Sequence, residues 1–271
     1  MTYHTYSPDP TLAPFIKCFW TLDAAAESEP EKQRIVPDGC MEMIFHYGDY
    51  YQQYLENGEA IIQPKSFIFG QLSRPLTIAP TGKTGIFAIR FLPDGFLPFA
   101  LLPLSTFENR AVPLCDLFAS DGIKLEHAIV NASGTEERIE IATAFLSNRL
   151  INPIAIDLII KSSLDLMSRA KGSLMVSDLS TQLSINRRSL ERRFSSVIGM
   201  SPKQLARIIR LQRVLKSMVN EDFASLTTLA YQGDYYDQAH FIKDFKDFTG
   251  VSPGKFFNSQ LKLSLLFSGE K

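Results

Sequence analysis

The sequence predicts an α+β chain of two domains. The first is β-rich and barrel-like with flanking helices; the second is all-α, with two helix-turn-helix units joined by a linker helix. Three observations predict this. Residues 1–115 alternate short apolar runs with Gly/Pro punctuation. Later the spacing turns helical and one unit occurs twice: Gly199-Met-Ser-Pro202 returns 51 residues on as Gly250-Val-Ser-Pro253. Charge also divides. Residues 1–150 hold 11 Lys/Arg against 18 Asp/Glu, net −7, and residues 151–271 hold 17 against 11, net +6. Such asymmetry is expected when a nucleic-acid-binding half is joined to another module. The domains are accordingly placed at 1–150 and 151–271.

Taken in order, the runs 15–21, 40–47, 50–54, 66–69, 76–79 and 84–91 are expected strands. Pro64, Gly70, Pro75, Gly82 and the Pro93-Asp94-Gly95 turn separate them. The run 40–47 closes on Gly48-Asp49, and 50–54 follows at hairpin distance. Many short strands at this spacing predict a barrel or sandwich. Residues 98–104 read as helical, and 114–118 closes the segment. Helices follow at 123–130, 139–150 and 153–170, the second built on Ile139, Ala142, Phe145, Leu146 and Leu150. That stripe offers a face to its own domain or to a second copy of the chain.

The C-terminal repeat reads as helix, turn, helix, twice over. In the first unit Val176, Leu179 and Leu183 keep helical spacing. Ser184-Ile185-Asn186 breaks it, and Asn186 is a good N-cap for a helix that Gly199 ends. Leu190, Phe194, Val197 and Ile198 share one face of this helix, with Arg188, Arg192, Ser195 and Ser196 opposite. Two short helices so joined match the motif that lays its second helix in the DNA major groove. Arg188 and Arg192, one turn apart, suit bidentate pairing with guanine, and Arg187 and Arg193 flank them towards phosphates.

In the second unit Ser225 or Thr227 caps a short helix and Gly233 marks the turn. Asp237 then caps a helix whose buried face is Phe241, Phe245 and Phe248. Gln238, Ala239, His240, Lys243 and Lys246 lie away from that face. Residues 171–216 carry ten Lys/Arg against two acids, while 217–257 carry three against six. The first unit is therefore expected to supply most of the phosphate attraction. Between the units, 202–218 forms an amphipathic spacer about 25 Å long at about 1.5 Å per residue.

The run from Ala230 through Gly233, Asp237, Phe241, Lys243, Phe245, Lys246 and Gly250 to Ser252, Pro253 and Phe256 resembles the signature of AraC-type (AraC/XylS) transcriptional regulators. Leu190, Arg192 and Phe194 with Gly199-Met-Ser-Pro202 resemble the same family's first helix-turn-helix. The resemblance implies base reading from Arg188, Glu191 and Arg192 in the first unit, and from Gln238, Ala239, His240 and Lys243 in the second. Asp247 stands where the family often has a basic residue, and Phe257 where it often has Arg. In the first half, Pro37-Asp38-Gly39-Cys40 with Glu42, then Gly70-Gln71, then Ile89-Arg90-Phe91 with Pro93, resemble the sensor half of one AraC-type subgroup. That implies a cupin-like barrel; physically, Pro37-Asp38-Gly39 is a turn before a strand. The partners implied are double-stranded promoter DNA, a small-molecule effector, a homodimer through the sensor half, and RNA polymerase.

Cys18, Cys40 and Cys115 are odd in number and form no Cys-x-x-Cys pair, which favours a reducing compartment over disulfides or zinc. No run reaches the roughly 18 apolar residues of a membrane span, so a cytoplasmic, membrane-free protein is expected. Glu42 and His46 share a strand face, yet two ligands do not make a metal site. No catalytic residue, metal or cofactor is assigned, and an enzyme is not expected. A barrel interior still suits a small molecule, with Trp20, Glu42, His46, Gln71 and Arg90 as candidate contacts. The competing reading is a barrel-type small-molecule enzyme or binding protein whose helical tail docks on another protein. The apolar stretch 260–267 reads as a short helix.

Overall fold

The computed structural model describes residues 1–100, 102–150, 157–220 and 225–258. Two facing antiparallel sheets make the first half. Six strands run in the order β1 (Thr2–Tyr6), β2 (Ile16–Ala24), β9 (Thr84–Phe91), β4 (Glu42–His46), β7 (Ser66–Phe69) and β10 (Ala111–Pro113). Four run in the order β3 (Gln33–Ile35), β8 (Leu76–Pro80), β5 (Tyr51–Tyr54) and β6 (Ala60–Ile62). Among the described residues no ladder joins the sheets, so the expected barrel is an open double sheet. The edge strands β3, β6 and β10 have three residues each, too short to carry a ladder around a barrel corner.

Strand β9 is buried along its whole length. Apart from Thr84 and Arg90, its sequence is apolar on both faces. Cys18, Trp20, Leu22, Ile86 and Ala88 meet Tyr51 and Ile78 of the smaller sheet. Phe19, Met43, Phe45, Phe87 and Ile89 meet Leu125, Ile129, Ala142 and Leu146 on the helices α1 (Leu114–Asn131) and α2 (Thr135–Arg149). The apolar stripe of α2 is thus packed within its own half.

Three local expectations change. The runs 40–47 and 50–54 are no hairpin: β4 pairs with β7 and β9, whereas β5 pairs with β6 and β8. The Gly48-Asp49 turn instead carries the chain between sheets, pressed so close to β9 that a Cβ on Gly48 would lie 2.5 Å from the Gly85 nitrogen. Residues 98–104 are not one helix but parts of two 3-10 turns, Leu97–Phe99 and Leu104–Phe107. Helix α1 already starts at Leu114, with a kink at Ala119.

The second half holds α3 (Leu158–Arg169), α4 (Val176–Gln182), α5 (Arg187–Val197), α6 (Pro202–Val219), α7 (Leu226–Gln232), α8 (Gln238–Thr249) and α9 (Pro253–Asn258). The expected helix 153–170 starts, among described residues, at Leu158 under an Asp157 cap; 153–156 and the stretch 260–267 lie outside them. The sequence repeat is a structural repeat. Ser184 (φ 50) and Asp234 (φ 54) take the same left-handed turn position. Ile185 N donates to Ser180 O and Tyr235 N to Ala230 O, both at 3.0 Å. Gly233 has φ −80, so it does not supply the turn's left-handed residue. It is small because a Cβ would lie 2.7 Å from the Tyr235 ring and 2.8 Å from Val214 Cγ2 of α6.

The halves touch directly. Arg34 Nη1 donates to Thr249 O at 3.1 Å, and Gln212 Nε2 on α6 to Pro37 O at 2.7 Å. Val36 is buried in the C-terminal core. Gly199, at φ +92, closes α5 so tightly on the first half that a Cβ would lie 2.9 Å from the Leu104 carbonyl oxygen.

Candidate nucleic-acid interface and an internal cavity

Helix α5 is set by its ends and its apolar stripe. The Asn186 side chain accepts from Ser189 N at 2.8 Å, and Leu190, Phe194 and Val197 anchor the buried face. Arg187, Arg188, Arg192 and Arg193 are turned outward, with Glu191 half-buried. Arg187 Nε pairs with Glu191 at 2.9 Å, one helical turn on. Arg193 instead reaches back to Asp157, the cap of α3, at 2.5 Å. Among the described residues Arg188 and Arg192 make no ion pair, which leaves their guanidinium donors facing solvent on one side of α5.

Helix α8 follows the same plan. Asp237 accepts from His240 N at 2.7 Å, Phe241, Phe245 and Phe248 are buried, and Gln238, Ala239, His240, Lys243 and Lys246 are exposed. The acidity of this unit has a structural use that sequence did not reveal. Asp244 is buried and holds Arg207 of α6 through two bonds, 3.1 and 2.8 Å, with Arg210 at 3.8 Å. Asp247 also takes Arg207, at 2.9 Å, and Asp234 takes Arg213 at 2.6 Å. Burial works against the Arg207 charge, but the Asp244 and Asp247 carboxylates more than offset it and raise its pKa. Three acids of the second unit thus neutralise arginines of the linker helix. These pairs span 21 to 40 residues, so no local pattern announces them.

A pocket of about 70 Å³ lies between the two sheets of the first half. Period-2 alternation places Trp20, Glu42, His46 and Arg90 in its wall, and the register sets Glu42 directly across from Arg90. The Trp20 indole donates to Glu42 at 3.1 Å, Arg90 Nη1 pairs with Glu42 at 3.2 Å, and Arg90 Nη2 pairs with Asp38. Burial pushes the His46 pKa down to about 4, so the imidazole is neutral at pH 7, its ring stacked on Tyr51. Gln71 is not in this wall; it is fully buried and its Nε2 donates to Gly39 O at 3.0 Å. Sequence reasoning missed Asp38, Tyr51 and Gln63 as wall residues. Asp38 looked only like a turn residue. A second cleft, about 470 Å³, lies between the halves and shares Asp38 with the cavity. No helix among the described residues is long and apolar enough to cross a membrane, and no three His, Cys, Asp or Glu among them are placed to share a metal.

Residues 179–259 match the model of a helix-turn-helix domain, and residues 4–113 match a domain of unknown function (DUF6597). No curated protein matches the chain. Among solved structures it is similar to ToxT from Vibrio cholerae at 14% identity and TM-score 0.51, over 89% of this chain and 98% of that one. An apo variant of ToxT from Vibrio cholerae strain SCE256 gives 13% identity and TM-score 0.50, over 89% and 97%. At such identity the likeness speaks for the fold. The chain therefore carries a helix-turn-helix domain at residues 179–259, and its fold, with a β-rich N-terminal half, is that of ToxT.

Proposed function

We propose that this chain is a sequence-specific transcription regulator, not an enzyme, whose C-terminal half binds double-stranded promoter DNA and whose N-terminal half takes a small-molecule effector. The observation that carries the reading is the repeated unit itself. In both copies the aromatic or aliphatic face is buried while the opposite, donor-bearing face is exposed. Arg188 and Arg192 are assigned to base edges with Glu191, and Arg187 and Arg193 to phosphates. In α8, Gln238, Ala239, His240 and Lys243 are assigned to bases and Lys246 to the backbone. Pairing of Asp234, Asp244 and Asp247 with α6 supports a DNA-contacting role for both units, since that acidity is already neutralised. Helix α6, about 27 Å long by its 18 residues, suits placing two such helices in successive major-groove turns about 34 Å apart.

The division of labour falls near residue 150, with α1 and α2 in the sensing half. The cavity walled by Trp20, Glu42, His46 and Arg90 is assigned to the effector, and Gln71 supports the loop beside it. Dimerisation through the sensing half and contact with RNA polymerase complete the proposed partners, in the cytoplasm.

The test is Arg188→Ala with Arg192→Ala, compared with wild type by footprinting on DNA upstream of the protein's own gene at two salt concentrations. Each lost bidentate contact is worth about 1–3 kcal/mol, so specific protection should fall at least about tenfold with the circular dichroism spectrum unchanged. Retained specific protection in the double variant would overturn the assignment of α5.

A further inference from the structure

We propose that the two units read different bases: α5 a pair of guanines through Arg188 and Arg192, and α8 a thymine methyl through Ala239 beside a guanine held by Lys243. This rests on the chain being a DNA-binding regulator. The repeat fixes equivalent positions in the two helices. Each cap side chain accepts from the nitrogen three residues on, Asn186 from Ser189 N at 2.8 Å and Asp237 from His240 N at 2.7 Å. The buried anchors then fall at the same distances from the cap: Leu190, Phe194 and Val197 in α5, Phe241, Phe245 and Phe248 in α8. Helices with the same start and the same buried stripe turn the same positions outward. Two and six residues past the cap these are Arg188 and Arg192 in α5, and Ala239 and Lys243 in α8, all four exposed.

At the first of these positions the chemistry differs between units. Arg188 offers a planar fork that matches guanine O6 and N7. The Ala239 methyl has no donor, and its match is the apolar contact with the C5 methyl of thymine. At the second position both units carry a cation, and arginine and lysine both suit guanine. Neighbouring charges are engaged elsewhere. In α5, Arg187 pairs with Glu191 and Arg193 with Asp157. In α8, Asp244 holds Arg207 and lies 3.8 Å from His240 Nε2. Among the described residues Arg188, Arg192 and Lys243 make no ion pair, so their donors face outward.

Arg188 and Arg192 are about 6 Å apart along the helix, at about 1.5 Å per residue. Base pairs rise about 3.4 Å each, so the two guanines lie within two base pairs of one another, on either strand. Ala239 and Lys243 have the same spacing, so the thymine and its guanine lie equally close. The two halves of the DNA site are therefore unlike although the two units share one fold.

The experiment selects duplexes bound by the full-length protein from a pool of random sequence, using wild type, Arg188→Ala and Ala239→Arg. Both substitutions fall at exposed helix positions, and circular dichroism checks that each variant is folded. Wild type should enrich two guanines in one major-groove turn, and a thymine with a guanine in the next. Arg188→Ala should erase the preference at one guanine of the first turn and bind the enriched sequence at least about fivefold more weakly. Ala239→Arg should exchange the thymine of the second turn for guanine. Replacing that thymine by deoxyuridine, which lacks only the methyl, should weaken wild type about fourfold and leave Ala239→Arg unaffected. Enrichment of a different sequence, or of a thymine that Ala239→Arg leaves in place, would overturn the base assignment and leave the regulator reading standing. Enrichment of no sequence would overturn both.

Discussion

Asp244→Asn removes one charge from the network that joins α6 to α8 and changes almost nothing else in shape. The Asp244 side chain is 5% exposed, against 26% for Arg207 and 15% for Arg210. The variant leaves two guanidiniums beside a neutral amide in a poorly solvated place. Breaking a buried pair from one side costs about 3–5 kcal/mol. Arg207 keeps Asp247 at 2.9 Å and some access to water, which lowers the expected cost to about 2–3 kcal/mol. Asp247, itself 51% exposed, belongs to the surface class, so Asp247→Asn should cost under about 1 kcal/mol. Urea unfolding followed by circular dichroism at 222 nm separates the two. Fluorescence would not, because the single tryptophan, Trp20, reports the β-rich half. If both variants shift stability equally, or Asp244→Asn stays within about 0.5 kcal/mol of wild type, internal neutralisation of the second unit's acids is not what holds α8 to α6.

Other expectations are direct. His46 titrates near 4, chiefly through burial, against 6.5 ordinarily. As pH falls the unfolded chain takes up this proton first. The stability tied to His46 is therefore complete above about pH 6.5 and is lost towards pH 4, by up to about 3 kcal/mol at about 1.36 kcal/mol per unit. His46→Phe, which keeps a ring against Tyr51, should flatten that slope in urea titrations across pH 4–7; an unaltered slope would place the acid sensitivity elsewhere. Asn186→Ala deletes the α5 cap and should cost about 1 kcal/mol in thermal melts, with DNA affinity lowered alongside. Gly199→Ala combines positive φ with a 2.9 Å approach to Leu104 O and should cost more than about 1 kcal/mol. Gly254→Ala, which meets nothing within 4 Å, should stay within about 0.5 kcal/mol; comparable losses in the two glycine variants would contradict the steric account.

The sequence by itself determined the C-terminal architecture, because its signals are local. Asn186, Ser225 and Asp237 cap helices within three residues of themselves. The faces of α5 and α8 follow from helical spacing, and duplication marked both turns. Exposure of Arg188, Arg192, Lys243 and Lys246 came from the same periodicity. The β-rich half was legible as strands but not as a sheet order. The runs that became β4 and β5 are adjacent in the chain yet enter different sheets, and β2 pairs with β9 some 60 to 75 residues away. Strand partners are chosen by which faces the whole core can bury, and no neighbouring residue records that choice. Only the tertiary structure therefore set Trp20, Asp38, Glu42 and Arg90 around one cavity. It alone also gave the acids of the second unit their arginine partners on α6, because ion pairs between elements depend on how the helices pack.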